Sequence, residues 1–329
     1  MYPYLSYLSI ATVASILAAN SSLQLRRVSP KSLSVLSQVQ TTLAETSEAV
    51  RLSEQGRQQL ATGQLQGALK TFQQVVEIHR KIGTRADEAE TLNHLGEVYN
   101  DLSQYDLAVE SLQQALSIYT QIGNRRGEGE TLSILGEVYN NLGQTAKALA
   151  TLKQALVIHR EVRESAGEGK TLYRLGIVYI SLSQNAEALE SLQQALSIQR
   201  KVKDRLSEGR TLQTLGLVYR RQGQYDRALE FYQQALGINQ SIGDRLGKGR
   251  SLNGMGAVYY SLGQYPKAVD FYQQALEIRQ SMGDRIGELG SLNSIGIVRA
   301  SLGEYDEALK FYEQALKIAK AIVSPSSEV

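Results

Sequence analysis

The sequence predicts an all-α fold, an array of about seven stacked helical hairpins with a forty-residue period. Three observations carry that expectation. The first is the period itself: Thr91, Thr131, Thr171 and Thr211 lie forty residues apart, and Ser251 and Ser291 continue the series. A fixed period of about 20 to 50 residues marks units that cannot bury their apolar faces alone and stack on their neighbours. The second is the apolar spacing inside a unit. Leu92, Leu95, Val98, Tyr99 and Leu102 recur at three- and four-residue steps, the spacing of one helical face. Ala108, Val109, Leu112, Ala115, Leu116, Ile118 and Ile122 make a second stripe. The third is the short polar connection between stripes, such as Gly223-Gln224 or Gly263-Gln264, which forces the two helices antiparallel.

Taken in chain order, residues 1–47 are expected to form an apolar leader and a linker. Tyr4 to Ala19 is apolar and uncharged, shorter than a spanning helix, and resembles the apolar core of an export signal. No Lys or Arg precedes it, and Ala18, Ala19 and Ser21 give a loose cleavage site. Arg26 and Arg27 follow it, which in a retained anchor places the next residues on the cytoplasmic side. Two readings stay open: an exported or membrane-anchored chain, and a cytoplasmic one with a disordered or amphipathic leader. Residues 20–45, rich in Ser, Gln and Thr with Pro30 inside, read as linker. The array is expected over 48–322, with units near 48–89, 90–129, 130–169, 170–209, 210–249, 250–289 and 290–322. A disordered tail is expected over 323–329.

Within a unit, the first helix (A) and the second (B) should each run about 18 residues, roughly 27 Å. Gly243-Asp244 and Gly283-Asp284 punctuate the joins between units, with Gly closing helix B and Asp capping the next helix A near Arg245 and Arg285. Arg163 and Lys203 replace the closing Gly, and Glu164 is a poorer cap than Asp204, so those joins should be looser. Gly96, Gly136, Gly176, Gly216, Gly256 and Gly296 hold one helix A position, although Gly inside a helix costs about 1 kcal/mol relative to Ala. Close packing must offset that cost. The facing position is expected to be Ala108, Ala148, Ala188, Ala228, Ala268 and Ala308, and the Ala115 to Ala315 series is expected to receive helix A of the next unit. The first unit, from about Arg51, keeps Gly56, Gly63, Ala68, Phe72 and Ile82 while its helix A turns polar, as suits a cap.

Composition excludes several functions. Thirty-five Lys and Arg against 33 Asp and Glu leave a net charge of +2, too balanced for a phosphate-backbone binder, so no nucleic-acid partner is expected. With no Cys there is neither disulfide nor thiolate chemistry. The three His do not assemble with Ser and Asp into a nucleophilic triad. Glu90, His94 and Glu97 share a helical face with Glu137 nearby, but one imidazole and no thiolate favour a solvated face over a metal site. His79 and His159 occupy one repeated helix B position. Gly-x-Gly pieces such as Gly127-Glu128-Gly129 lie at helix joins rather than in a strand-to-helix phosphate loop. The pairs Phe231-Tyr232, Phe271-Tyr272 and Phe311-Tyr312 read as packing between helices. No enzyme activity, metal or cofactor is expected.

The run Leu212-x2-Leu215-Gly216-x2-Tyr219, followed by Ala228-x3-Tyr232 and Ala235, resembles the tetratricopeptide repeat. Leu stands for the family's Trp, and the terminal Pro is absent from the forty-residue period. HEAT and armadillo arrays have similar periods but lack this Leu-Leu-Gly-Tyr and Ala-Tyr-Ala spacing. The longer unit, with its GDRxGEG joins, is similar to arrays of Pins/LGN-type adaptors, kinesin light chains and bacterial proteins with CHAT-type protease domains.

The resemblance implies a right-handed superhelix whose concave face, lined by helix A, binds a protein or peptide. The implied groove positions in repeats two and three include Glu90, Asn93, Glu97, Asp101, Glu130, Glu137 and Asn140, whose charges are all negative. Lys170, Tyr173 and Ile177 follow in repeat four, Arg210, Gln213, Leu217, Arg220 and Arg221 in repeat five, Arg250, Asn253 and Tyr260 in repeat six, and Asn293 in repeat seven. The charges at the groove positions of repeats four to six are all positive. A groove acidic at one end and basic at the other is therefore expected, with an apolar shelf of Tyr173, Ile177, Ile180 and Leu217 between. The Lys and Asn of the family's carboxylate clamp are missing at its positions, which disfavours chaperone-tail recognition. The implied function is a non-enzymatic adaptor. The alternatives are a sensor segment of a bacterial signalling system with a separate effector, such as a CHAT-type protease, and an exported or membrane-tethered assembly factor. The apolar face of the last helix, with Leu316 and Ile318, is a candidate surface for self-association.

Overall fold

The computed structural model describes residues 30–323 as fourteen α-helices, with no strand among the described residues. The leader at Tyr4 to Ala19 and residues 324–329 lie outside them; Val323 ends the last helix instead of opening a tail. Among the described residues, no helix is long and apolar enough to cross a membrane. The chain divides into two compact units, Met1–Leu102 and Ser103–Val329, where the sequence led us to expect one array. The division falls in the A–B turn of the second repeat.

In the first unit, α1 (Pro30–Ala61) pairs with α2 (Leu65–Ile82), and α3 (Arg85–Asp101) packs on both. The expected linker is wrong from Pro30 onward. Proline opens the helix, where its missing N–H costs nothing and its fixed φ is preset. The hydroxyls of Thr41, Thr42 and Thr46 donate to carbonyls four residues back, so the polar composition is satisfied within the helix. Buried Ala49 and Leu52 and an ion pair between Glu45 and Lys81 fasten α1 to its neighbours.

The second unit opens with α4 (Tyr105–Gln121). Five hairpins follow: α5 (Arg125–Asn141) with α6 (Thr145–Glu161), α7 (Ser165–Ser181) with α8 (Asn185–Val202), α9 (Arg205–Arg221) with α10 (Tyr225–Ser241), α11 (Arg245–Ser261) with α12 (Tyr265–Met282), and α13 (Arg285–Ser301) with α14 (Tyr305–Val323). Helix A starts at Arg245 and Arg285 as expected. Asn124, Asp204, Asp244 and Asp284 accept from the backbone N–H three residues on, whereas Glu164 makes no such cap. Arg163 and Lys203 sit at φ 55° and 61°, a left-handed conformation that glycine adopts freely and other residues at a cost of about 1 kcal/mol. The joins around them are therefore the strained ones.

The helix A glycines do make close approaches, but chiefly to a residue other than the expected alanine. A Cβ at Gly176 would lie 2.7 Å from Leu192, at Gly216 3.0 Å from Tyr232, at Gly256 2.8 Å from Tyr272, and at Gly296 2.6 Å from Tyr312. Each opponent stands four residues after the alanine, one turn further along helix B, where its longer side chain reaches over the glycine. The expected role of the second alanine series also changes at the array's end. Ala315 is buried with Leu292 and Ile318 inside its own hairpin, so its burial needs no following repeat.

Candidate functional site

The joins between repeats hold the first layer of charge. Glu88 accepts from Arg80 at 3.0 Å and Arg85 at 2.6 Å, and Glu208 accepts from Arg200 at 2.9 Å and Arg205 at 2.5 Å. Glu168 pairs with Arg160 at 2.8 Å and Glu288 with Arg285 at 2.7 Å. These largely buried carboxylates are satisfied from within, so the acid of the GDRxGEG join is structural. The glycines beside it clear space for a buried polar series on helix B: His79, Tyr119, His159, Gln199, Asn239 and Arg279. His159 lies between Gly129 and Gly167, and Asn239 between Gly209 and Gly247. Burial holds His79 and His159 below the ordinary histidine range, and Arg174 pushes His159 further down against the opposing pull of Glu164. No side chain hydrogen-bonds the His159 ring, which meets the backbone of Gly129 instead.

The exposed side of helix A is the second layer. In the first unit, Glu90 is exposed and pairs with Arg57 at 3.7 Å, and His94 lies 3.9 Å from Glu90 and 3.4 Å from Glu97 while stacking on Phe72 at 5.0 Å. Asp101 is exposed, and Asn93 is buried. A shallow cleft is lined by Arg57, His79, Asp87, Glu90 and His94, yet among the described residues no His, Cys, Asp or Glu group is arranged to hold a metal ion.

In the second unit, adjacent A helices are tied by side chains one period apart. Arg174 donates to Glu137 at 2.6 Å and to Ser133 at 2.8 Å, and Thr171 donates to Ser133 at 2.9 Å. The Gln213 amide donates to the Gly247 carbonyl at 2.8 Å and to Ser251 at 2.9 Å, which makes it a rivet between α9 and α11. Arg174 was not among the expected groove residues. Its position carries His94, Ile134, Thr214, Gly254 and Ser294 in the other repeats, so the Arg174–Glu137 pair belongs to this repeat alone.

Around and after these ties the face changes. Glu130, Lys170, Arg210, Arg221 and Arg250 are exposed, whereas Asn140, Tyr173, Ile177, Leu217, Arg220, Asn253, Tyr260 and Asn293 are partly buried. Tyr173 and Ile180 pack against the core around Leu192, Leu212 and Leu215, so the apolar shelf is the rim of that core. Tyr260 reaches Ser301 at 3.3 Å. Among the described residues, Lys170, Arg210, Arg220, Arg221 and Arg250 form no ion pair, while Arg160, Arg174, Arg200 and Arg205 around them all do. Tyr232 and Tyr272 pack between helices as expected, but their closeness to Arg220 was not foreseen. The ring of Tyr232 enters the slot between Gly216 and Gly254, and that of Tyr272 packs over Gly256. The charge of Arg220 acts on both hydroxyls. The neighbouring Phe231 and Phe271 stack on Tyr219 and Tyr259 at 5.2 Å, as core.

Known structures share this fold. A Rap protein complexed with competence and sporulation factor matches with a TM-score of 0.70 at 20% identity, over 92% of this chain and 83% of that one. The Rap conjugation gene regulator of plasmid pLS20, in complex with the Phr* peptide, matches at 0.66 and 17% identity over 83% and 73%. The signal transduction ATPase from Pyrococcus horikoshii with a tetratricopeptide repeat sensor matches at 0.66 and 18% identity, over 87% of this chain and 42% of that protein. A comparison with curated protein sequences returns no match. At these identities the likeness is one of fold. The sequence profile of the tetratricopeptide repeat matches residues 52–121, 127–201, 167–241, 207–281 and 248–321, nearly the whole helical array. With its hairpins, period and glycine slots, the chain belongs to the tetratricopeptide repeat family.

Proposed function

We propose that this protein is a non-enzymatic adaptor that holds a peptide or helix of a protein partner on the helix A face, and that an acidic segment of the partner lies over repeats four to six. The observation that carries this reading is the set of unpaired cations Lys170, Arg210, Arg220, Arg221 and Arg250 beside the half-buried Tyr173, Ile177 and Leu217, on a face where the neighbouring Arg174 is paired with Glu137. Apolar area supplies affinity in such a surface, and a one-signed field orients and speeds encounter. The structures of the Rap protein and the pLS20 regulator are complexes with competence and sporulation factor and with the Phr* peptide, which supports a ligand of that kind on this hairpin architecture.

A photo-crosslinking residue at Leu217 tests the reading against one at Val157, an exposed position on helix B. The partner should be trapped from Leu217 and not from Val157. Trapping at both to the same extent, or only at Val157, contradicts the proposal.

A further inference from the structure

Arg220 is built differently from the other cations on its face. Arg210, Arg221 and Arg250 are exposed, and water solvates them. Arg220 is partly buried, and its Nε–H is sealed from solvent with no acceptor. A buried charged donor without a partner is costly, and native structures retain one mainly where something else completes it. No carboxylate of the described residues lies within ion-pair distance of Arg220.

Two phenols lie beside Arg220, the hydroxyl of Tyr232 hydrogen-bonded with Arg220 itself and that of Tyr272 with Ser294, and each phenol keeps a proton to donate. Tyr232 and Tyr272 are each 5% exposed, and their hydroxyls lie in the field of the Arg220 guanidinium. Burial raises both phenols, Tyr272 to about 12, so both stay protonated at neutral pH and can donate. Making room for them took a specific change in the repeat. The residue one period before Gly254 is Thr214, and Gly254 leaves the slot that the Tyr232 ring fills. Repeats three and four carry Leu152 and Leu192 where these tyrosines stand, and Asn140 and Ile180 where Arg220 stands. The donor cluster therefore belongs to repeats five and six and is not a general consequence of the fold.

We propose that Arg220, framed by the hydroxyls of Tyr232 and Tyr272, seats one oxyanion of the ligand, which is an acidic peptide carrying an Asp, Glu or phosphorylated side chain where it crosses repeats five and six. The inference rests on the helix A face being the binding surface. A planar guanidinium offers paired N–H donors that match an oxyanion in fork geometry, which an ammonium cannot do. Arg210, Arg221 and Arg250 gather the rest of an acidic run but, being solvated, fix no single position in it.

Fluorescence anisotropy of the full chain with two labelled probes, hexaglutamate and the same peptide with one central phosphoserine, tests the proposal. Both should bind, and tighter binding of the second identifies a phosphate rather than a carboxylate as the better occupant. Arg220→Gln should weaken binding at least tenfold and Arg220→Lys by a smaller factor, with helical content unchanged by circular dichroism. Arg221→Gln, which removes the same charge from an exposed position, should weaken it only two- to threefold. Equal losses for Arg220→Gln and Arg221→Gln would show a diffuse field rather than a seat and overturn the proposal, as would no binding of either probe. The Leu217 crosslink is independent of both outcomes, so the seat can fail while the binding surface stands.

Discussion

In repeat three and in repeats five and six, the same helix A scaffold carries charges held in opposite ways. Glu137 in repeat three is met by Arg174 from the next helix A at 2.6 Å, and Ser133 beside it accepts two further hydrogen bonds. Arg210, Arg220, Arg221 and Arg250 meet no acid, and Arg220 has a buried donor with nothing to bond. Their floors differ too, with Leu152 under the first stretch and Tyr232 and Tyr272 under the second. One stretch completes its interactions with its own neighbours and contributes to stability. The other is left incomplete, which is the expected state of a surface that a partner finishes.

The contrast in floors gives the largest expected effect. Gly254→Thr would drive a side chain into the Tyr232 ring and should destabilise the fold by about 1 to 3 kcal/mol in urea titration. Adding Tyr232→Leu should recover most of that loss, because Leu192 and Thr214 already coexist one repeat earlier. If the double variant is no better than Gly254→Thr alone, the two floors do not differ by this slot.

The contrast in pairing predicts a smaller asymmetry. Arg174→Met should cost about 1 kcal/mol, since a charge-assisted network is removed from a side chain 20% exposed. Arg221→Ala and Arg250→Ala should stay within about 0.5 kcal/mol of wild type, as exposed positions without partners do. Equal costs at all three sites would erase the distinction between paired and unpaired faces.

Repeat three also carries a pH dependence. Burial, with Arg174 adding to it, holds His159 below its ordinary value of about 6.5 in the folded chain. As pH falls, the unfolded chain takes up this proton first. The stability contribution is thus fully present above about pH 6.5 and declines as pH drops below it. His159→Gln, which copies Gln199 one repeat on, should flatten this part of the stability–pH curve, whereas an unchanged slope would assign it elsewhere.

The hairpins were legible because their information is local: the Thr91 series, the Gly-Asp joins and the apolar stripes each act within one repeat or at one boundary. The Asp204 cap and the left-handed Lys203 follow from the same kind of reasoning. What the sequence concealed depends on how one repeat turns against the next. The Arg174–Glu137 pair spans 37 residues and the Gln213–Ser251 bond 38, so neither falls on the forty-residue period that reveals the array. Tyr232 was legible as core, and its ring is core, but that its hydroxyl lies in the field of Arg220 is a fact of depth that no period records. The α1 helix was hidden for another reason. Ser, Thr and Gln signal a linker only when their hydroxyls and amides lack local acceptors, and in α1 the threonines bond to the helix itself.

The central claim is that the unpaired cations of repeats four to six hold an acidic partner. Affinity capture from the native cell with wild type, with the reversal Arg210→Glu, Arg220→Glu and Arg250→Glu, and with a reversal of the exposed helix B cations Lys201→Glu and Arg227→Glu tests it most directly. The wild type and the helix B reversal should retain the same partner while the helix A reversal loses it. Undiminished capture by the helix A reversal would contradict the account.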